Sequence, residues 1–222
     1  MLRYLFIGSK KISSKRLSTT WYSKKIQSST SMSTDQQRRS KRGRPISLNS
    51  HETAALERPN AGKDIEIIVE SGVIRIAASQ PKNEEDITLA FTCRTDIFKF
   101  HYPRDLEITI QAVTDTTYFV KSRNRTESKT SDAIMDWIIQ LHIVRNEANL
   151  ESRLMKFYEL LMTRLGKRTP EGLLLEHTLS HARIAEIVGS TRSTVSRTIS
   201  ALRKSKQIYI DELKSQIILP MD

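Results

Sequence analysis

The sequence predicts an α+β chain: an antiparallel β domain, then a long apolar helix, then a C-terminal winged helix-turn-helix. Three observations carry that reading. Between residues 64 and 121 apolar and polar residues alternate at period two, as in half-buried strands,. Residues 131–144 switch to helical spacing with apolar residues on more than one side,. Residues 179–202 read as two short helices joined by a glycine, the second basic and free of acids.

In the β region Ile65, Ile67 and Val69 alternate with polar neighbours, Val73-Ile74-Arg75-Ile76 follows Ser71-Gly72, and Ile87, Leu89 and Phe91 alternate again. Leu106, Ile108 and Ile110 repeat the pattern, so four or five short strands are expected,. The helix that follows takes Ser131 or Thr130 as its cap, with Asp132 and Asp136 near its positive end,. Ile134, Trp137, Ile138, Leu141 and Val144 form its stripe. Residues 146–149 read as a hinge, and a second helix over residues 150–165 points Leu154, Phe157, Leu161 and Leu165 at the C-terminal domain before stopping at Gly166,.

In the helix-turn-helix, Ile184, Ile187 and Val188 recur around Ala185, small enough for a second helix to cross closely,. Gly189 supplies a left-handed turn without a Cβ, and Ser190 or Thr191 can cap the next helix,. That helix turns Val195, Ile199 and Leu202 inward,. Arg192, Ser193, Ser196, Arg197 and Ser200 face out, an arrangement suited to a major groove,. Two β-rich runs, residues 207–210 and 216–219, bracket a five-residue loop and read as the wing,. An ordinary helical hairpin with a solvated face would need all of these features to coincide by accident.

Residues 189–208 with the following hairpin resemble the DNA-binding domain of the CRP/FNR superfamily of bacterial regulators. Within it the resemblance is to the cyanobacterial and algal-plastid global nitrogen regulators. It implies that Arg192, Ser193 and Arg197 read bases. His181, Thr191, Thr194, Ser196 and the wing residue Lys214 are the expected phosphate contacts. Ser193 stands where the cyclic-AMP-responsive branch carries a glutamate. The resemblance also implies a palindromic operator, a homodimer paired through residues 131–148 with Ile134, Trp137, Ile138, Leu141 and Val144 at the seam, and contact with RNA polymerase. It further implies that Arg153 holds the second helix to the hinge. A helix packed on its own β domain is the alternative for that seam, and an architectural DNA-binding protein without sensing is the alternative for the whole.

The effector site departs from the family. Cyclic-nucleotide binders use a glycine-glutamate-leucine turn and an arginine, but Gly72 is the only glycine between Lys63 and Leu165. The helix positions that would carry charges for 2-oxoglutarate are Ile134 and Ile139. Lys99, Arg104 and Arg123 are the remaining cations that could serve. The expectation is a degenerate β-roll that uses neither 2-oxoglutarate nor a cyclic nucleotide as cofactor.

The chain of 222 residues has net charge +11, all of it in residues 1–50. This segment resembles an organellar transit segment. A disordered basic tail and a true start at Met32 remain open beside that reading. A transit segment implies a plastid location, and otherwise the bacterial cytoplasm is expected. Lys41-Arg42-Gly43-Arg44-Pro45 has the look of an AT-hook core, although a basic linker explains it too,. The expected layout is therefore an extension over 1–62, the β domain over 63–130, helix and hinge over 131–148, and the winged domain over 149–222. A single cysteine, Cys93, excludes an internal disulfide,. No run of about 18 apolar residues suggests a membrane span. The five histidines show no metal-ligand spacing and no nucleophile elbow is present, so no enzyme is expected,.

Overall fold

The computed structural model of the chain describes residues 44–80, 85–94, 97–124 and 132–220. The transit-segment reading, most of the AT-hook run, Thr130 and Ser131 lie outside these residues.

Eight strands form two antiparallel four-stranded sheets that face each other across one core. One sheet has the order β1 (Ile46–Leu48), β8 (Thr116–Asn124), β3 (Lys63–Ser71) and β6 (Ile97–Phe100). The other runs β2 (Thr53–Ala55), β7 (Glu107–Ala112), β4 (Val73–Ser79) and β5 (Ile87–Cys93). Ile65, Ile67, Ile74, Ile76, Ile108 and Ile110 are all buried between them, as their period-two spacing requires,. Gly72, at φ 81°, makes the hairpin from β3 to β4, and a Cβ there would lie 2.3 Å from the Asp115 carbonyl oxygen,.

Strands β1 and β2 fall inside the segment that charge and composition read as an extension. Leu56 just after them is buried at 8% exposure, so the β domain begins near residue 46, not 63. These strands are three residues long, and β1 pairs with β8 while β2 pairs with β7. Their ladder hydrogen bonds hold them in place, with Leu48 of β1 packed against the core.

Helix α1 (Ala133–Arg145) is capped by Asp132, whose carboxylate accepts the N–H groups of Ile134 at 2.9 Å and Met135 at 3.2 Å,. Its stripe divides. Ile134, Trp137, Leu141 and Val144 are buried against this chain's own core, Trp137 meeting Phe91 edge-on at 5.8 Å. Ile138 faces away with Met135, Ile139 and Ile143, exposed by 38, 57, 50 and 44% respectively. The seam expected from Ile134, Trp137, Leu141 and Val144 is thus corrected: the chain's own core claims those side chains, and only Ile138 of the five lies on the open face.

Helix α2 (Leu150–Leu165) follows the hinge, capped by Asn149. Arg164 ties it to α1, pairing with Asp136 at 2.7 Å and lying over the Trp137 ring at 4.7 Å. A third sheet has the order β11 (Tyr209–Asp211), β12 (Gln216–Leu219), β10 (Gly172–Leu175) and β9 (Lys167–Thr169). It closes the C-terminal domain around α3 (His181–Val188) and α4 (Arg192–Lys204). Strands β9 and β10 form a hairpin absent from the sequence reading. Strand β10 pairs with β12, and β11 completes the wing on β12's other edge.

Candidate nucleic-acid interface

Helix α3 is set by its ends. The Ser180 side chain accepts the Arg183 N–H at 3.2 Å, and Gly189 stops the helix at φ 69°, ψ 57°,. Of the two caps the sequence allowed for α4, Thr191 is the one used, accepting from the Thr194 N–H at 3.2 Å. Ile184, Ala185, Ile187 and Val188 of α3 are buried together with Val195, Ile199 and Leu202 of α4. Gly189 itself is exposed, so its role is the turn and not the core.

What α4 leaves outside is a face of hydroxyls and guanidinium groups. Arg192, Ser193, Arg197 and Ser200 are exposed, Thr194 and Ser196 are half-buried, and the helix carries no acid. Thr198 and Ser200 donate their hydroxyl protons to Thr194 O at 3.0 Å and Ser196 O at 2.9 Å, back along their own helix,. Arg192 and Arg197 form no ion pair among the described residues. Their charge is therefore available to a partner. His181 lies beside Arg192 at the mouth of an open cleft that also includes Leu179, Ser180 and Ala182.

The wing turns on Asp211, whose Oδ1 accepts the N–H groups of Leu213 and Lys214, both at 3.1 Å,. Lys214 is exposed, with its Nζ 3.9 Å from Asp211 Oδ2. Two arginines at the hinge hold α3 from behind. Arg145 donates to Ile187 O at 2.9 Å and Glu186 O at 2.8 Å, while Arg153 donates to Glu147 O at 3.1 Å and Val188 O at 3.4 Å. Cations here meet the negative end of the α3 dipole. Arg145 was not among the sequence-predicted residues. Its only local signal is a basic residue in the last turn of α1.

In the β domain, two of the three cations considered for an effector are engaged elsewhere. Lys99 Nζ and Arg123 Nε converge on Glu66 Oε2 at 3.8 and 2.6 Å, and the Glu66 side chain is only 5% exposed. Arg104 is exposed and lines an open cleft with Arg58, Lys63 and His101. Arg58 is held there over the Tyr102 ring at 4.9 Å. Among the described residues no group of three or more His, Cys, Asp or Glu is placed to hold a metal ion, and no helix is long and apolar enough to cross a membrane.

The geometry of α3, α4 and the wing has counterparts in known proteins. Residues 153–220 match the family described as the Crp-like helix-turn-helix domain. This region is a Crp-like helix-turn-helix domain. It is 38% identical over 73 residues to the global nitrogen regulator of Synechococcus elongatus, covering 33% of each chain. The global nitrogen regulator of Synechocystis sp. is 37% identical over 73 residues, 33% of this chain and 32% of its own. The chain thus spans about a third of the length of these curated relatives. A probable transcriptional activator from Rhizobium leguminosarum bv. viciae is 27% identical over 135 residues, 61% of this chain and 54% of its own. Beyond the Crp-like domain, about four fifths of the chain superposes on the fold of CRP/FNR-type regulators. FixK2 of Bradyrhizobium japonicum superposes with TM-score 0.59 at 18% identity, covering 79% of this chain and 91% of its own. A CRP/FNR-family regulator from Thermus thermophilus gives 0.55 at 18% identity, covering 81% and 94%.

Proposed function

We propose that this chain is a sequence-specific transcription regulator that places α4 in the DNA major groove and binds a palindromic operator as a homodimer. The observation that carries this is the outer face of α4: Arg192 and Arg197 five residues apart, in no ion pair among the described residues, flanked by hydroxyls and free of acids. Such arginines suit bidentate donation to guanine O6 and N7, while hydroxyls at the helix start and Lys214 on the wing suit phosphates. The homology of the Crp-like domain to the two global nitrogen regulators supports nitrogen-assimilation genes as targets. The cyanobacterial relatives support a bacterial cytoplasmic or plastid location.

The dimer reading rests on the open apolar face of α1, where Met135, Ile138, Ile139 and Ile143 lie together. A contiguous patch of this kind marks an association surface. Effector-independent binding follows from the same helix. Ile134 is already consumed by the core and Ile139 offers an apolar surface, so neither can hold a dianion. The test is enrichment of bound sequences from random duplexes by the purified full chain. The expected product is a palindrome with half-site centres about 10 base pairs apart, one duplex turn. Enrichment of a single half-site would overturn the dimer. No enrichment at all would overturn DNA reading.

A further inference from the structure

Five polar side chains bind the β domain to the first helix of the helix-turn-helix. Arg75, on β4, is 1% exposed and lies between two strands, on the side that period-two spacing assigns to solvent. Its guanidinium donates in a fork to Asp86, at 2.9 Å from Nη1 to Oδ2 and 3.0 Å from Nη2 to Oδ1. It also donates from Nε to the Thr88 hydroxyl at 2.8 Å and from Nη1 to Gln111 at 3.3 Å. The connection then crosses domains. Asp86 Oδ1 accepts from Arg183 of α3 at 2.7 Å. Glu186, one turn further along α3, accepts from the Thr88 N–H at 2.9 Å and the Thr88 hydroxyl at 2.8 Å. Arg183 also reaches Glu186 at 3.4 Å, and Arg75 comes within 4.0 Å of it. Two cations and two carboxylates balance, and the Arg75 fork holds the pKa of the Asp86 carboxyl down to about 2.

A partly buried ionic cluster of this kind, with Arg75 enclosed and Asp86, Arg183 and Glu186 half-buried, adds little net stability over an apolar contact of the same size, because desolvation and solvent screening offset attraction,. What it adds is direction. Apolar surfaces tolerate sliding, whereas a bidentate fork and a chain of short hydrogen bonds hold at one relative placement. The cluster grips the side of α3 through residues 183 and 186, while Arg145, from the end of α1, grips its C-terminal carbonyls. A helix held at one point can pivot, but one held from two different elements cannot. Because α3 packs on α4 through Ile184, Val188, Val195 and Ile199, fixing α3 fixes the recognition helix relative to α1.

We propose that Arg75, Asp86, Thr88, Arg183 and Glu186 are positioning residues that set the angle of the recognition helix against the dimer helix, and thereby the half-site spacing the protein accepts. This deepens the reading of the chain as a dimeric operator-binding protein and rests on it. Adding one base pair between half-sites moves one of them by about 3.4 Å and turns it by about 35°. A rigid junction cannot follow that displacement, and a loosened one can.

The test uses the full chain and the palindrome found by enrichment, with the central spacer shortened or lengthened by one base pair. In the double variant Arg183→Met/Glu186→Met both side-chain links across the domain junction are cut, while the Arg75–Asp86 fork inside the β domain is kept, so the buried guanidinium is not orphaned,. Circular dichroism and melting accompany each preparation, and Arg183→Lys, which retains the charge, serves as a second, gentler variant. The wild-type chain is expected to lose at least about tenfold in affinity per base pair of altered spacing, which equals about 1.4 kcal/mol. The double variant should lose less than about threefold, with Arg183→Lys between the two, and affinity for an isolated half-site should stay within about twofold of wild type. That last readout separates positioning from base reading, which the variant leaves untouched. A folded double variant as sensitive to spacing as the wild type overturns the proposal. So does a wild-type chain with an enriched palindrome but no spacing preference, which leaves DNA reading intact. Failure to enrich any site would instead remove the reading beneath the proposal.

Discussion

Ile139→Glu should dissociate the proposed homodimer while leaving each protomer folded. Ile139 is 50% exposed on α1, on the side away from Trp137, and sits between Ile138 and Ile143 on the open face. Complete burial of an isoleucine side chain stabilises by about 1.5–3 kcal/mol, so the half still exposed at Ile139 is worth about 1 kcal/mol per copy. A two-fold interface loses this contribution twice. It must also desolvate two carboxylates of like charge near its axis, at several kcal/mol per ion. A conservative total is about 4 kcal/mol, which raises the dimer dissociation constant about a thousandfold. Sedimentation equilibrium across the micromolar range reads that change directly. The melting temperature of the protomer should move little, because Ile139 is half-exposed and stands outside the buried core. Leu213→Glu is the control: Leu213 is fully exposed at the wing tip, and the same charge change there should not touch assembly. An Ile139→Glu chain that stays dimeric with unchanged affinity would refute the assignment of this face as the seam.

Three further outcomes follow from the site and the core. Arg192→Ala should cost about 1–3 kcal/mol on the enriched site and relax preference at one base position, whereas Lys214→Ala should weaken all sequences alike; titrations on matched and scrambled duplexes compare them. His177 is 5% exposed, its Nε2 has no hydrogen-bond partner, and burial pushes its pKa down to about 4 against a slight upward pull from Glu176. Since the unfolded chain takes up that proton first, stability should fall as pH drops from about 6.5 to about 4, by up to about 3 kcal/mol, and His177→Gln should flatten the loss in urea titrations at several pH values. Millimolar 2-oxoglutarate or cyclic AMP should change operator affinity by less than about threefold, or about 0.6 kcal/mol of coupling; a tenfold gain in a binding assay would restore a working sensor.

The C-terminal domain was legible because its determinants are local. A left-handed glycine, a hydroxyl cap and inward aliphatics at helical spacing are all decided within a single short stretch, and Gly189, Thr191, Val195 and Ile199 occupy the positions that spacing assigns,. The long strands around Gly72 were legible for the same reason. Strands β1 and β2 were not, since Ile46–Leu48 and Thr53–Ala55 show mostly exposed residues and no apolar period, and are held by ladders to residues more than fifty positions away. The stripe on α1 was misdirected for a different reason. With Ile134, Trp137, Ile138, Ile139, Leu141, Ile143 and Val144 in one helix, apolar residues occur on opposite sides, and spacing alone cannot say which side meets the β domain,. Contacts with β5 decide it, through Trp137 against Phe91.

The domain junction was invisible in the sequence for the reason that makes it informative in the structure. Arg75 reads as the polar member of an alternating strand, and Arg183 and Glu186 read as the solvated side of a short helix. Nothing within reach of either pairs them, because Asp86 and Arg183 are 97 residues apart and Thr88 and Glu186 are 98 apart. Once paired, these groups bear on the question of an effector. A ligand shifts a conformational equilibrium only through contacts it makes better in one state than in the other. Here the charged interdomain contacts are already made, by groups the chain carries itself. The cluster is balanced in sign, so it offers no surplus cation to a dianionic metabolite. Lys99 and Arg123 are likewise engaged by Glu66. Among the described residues the charged contacts across this junction are made by the chain's own arginines and carboxylates, and this is the physical ground on which we propose that its DNA binding changes little with a metabolite.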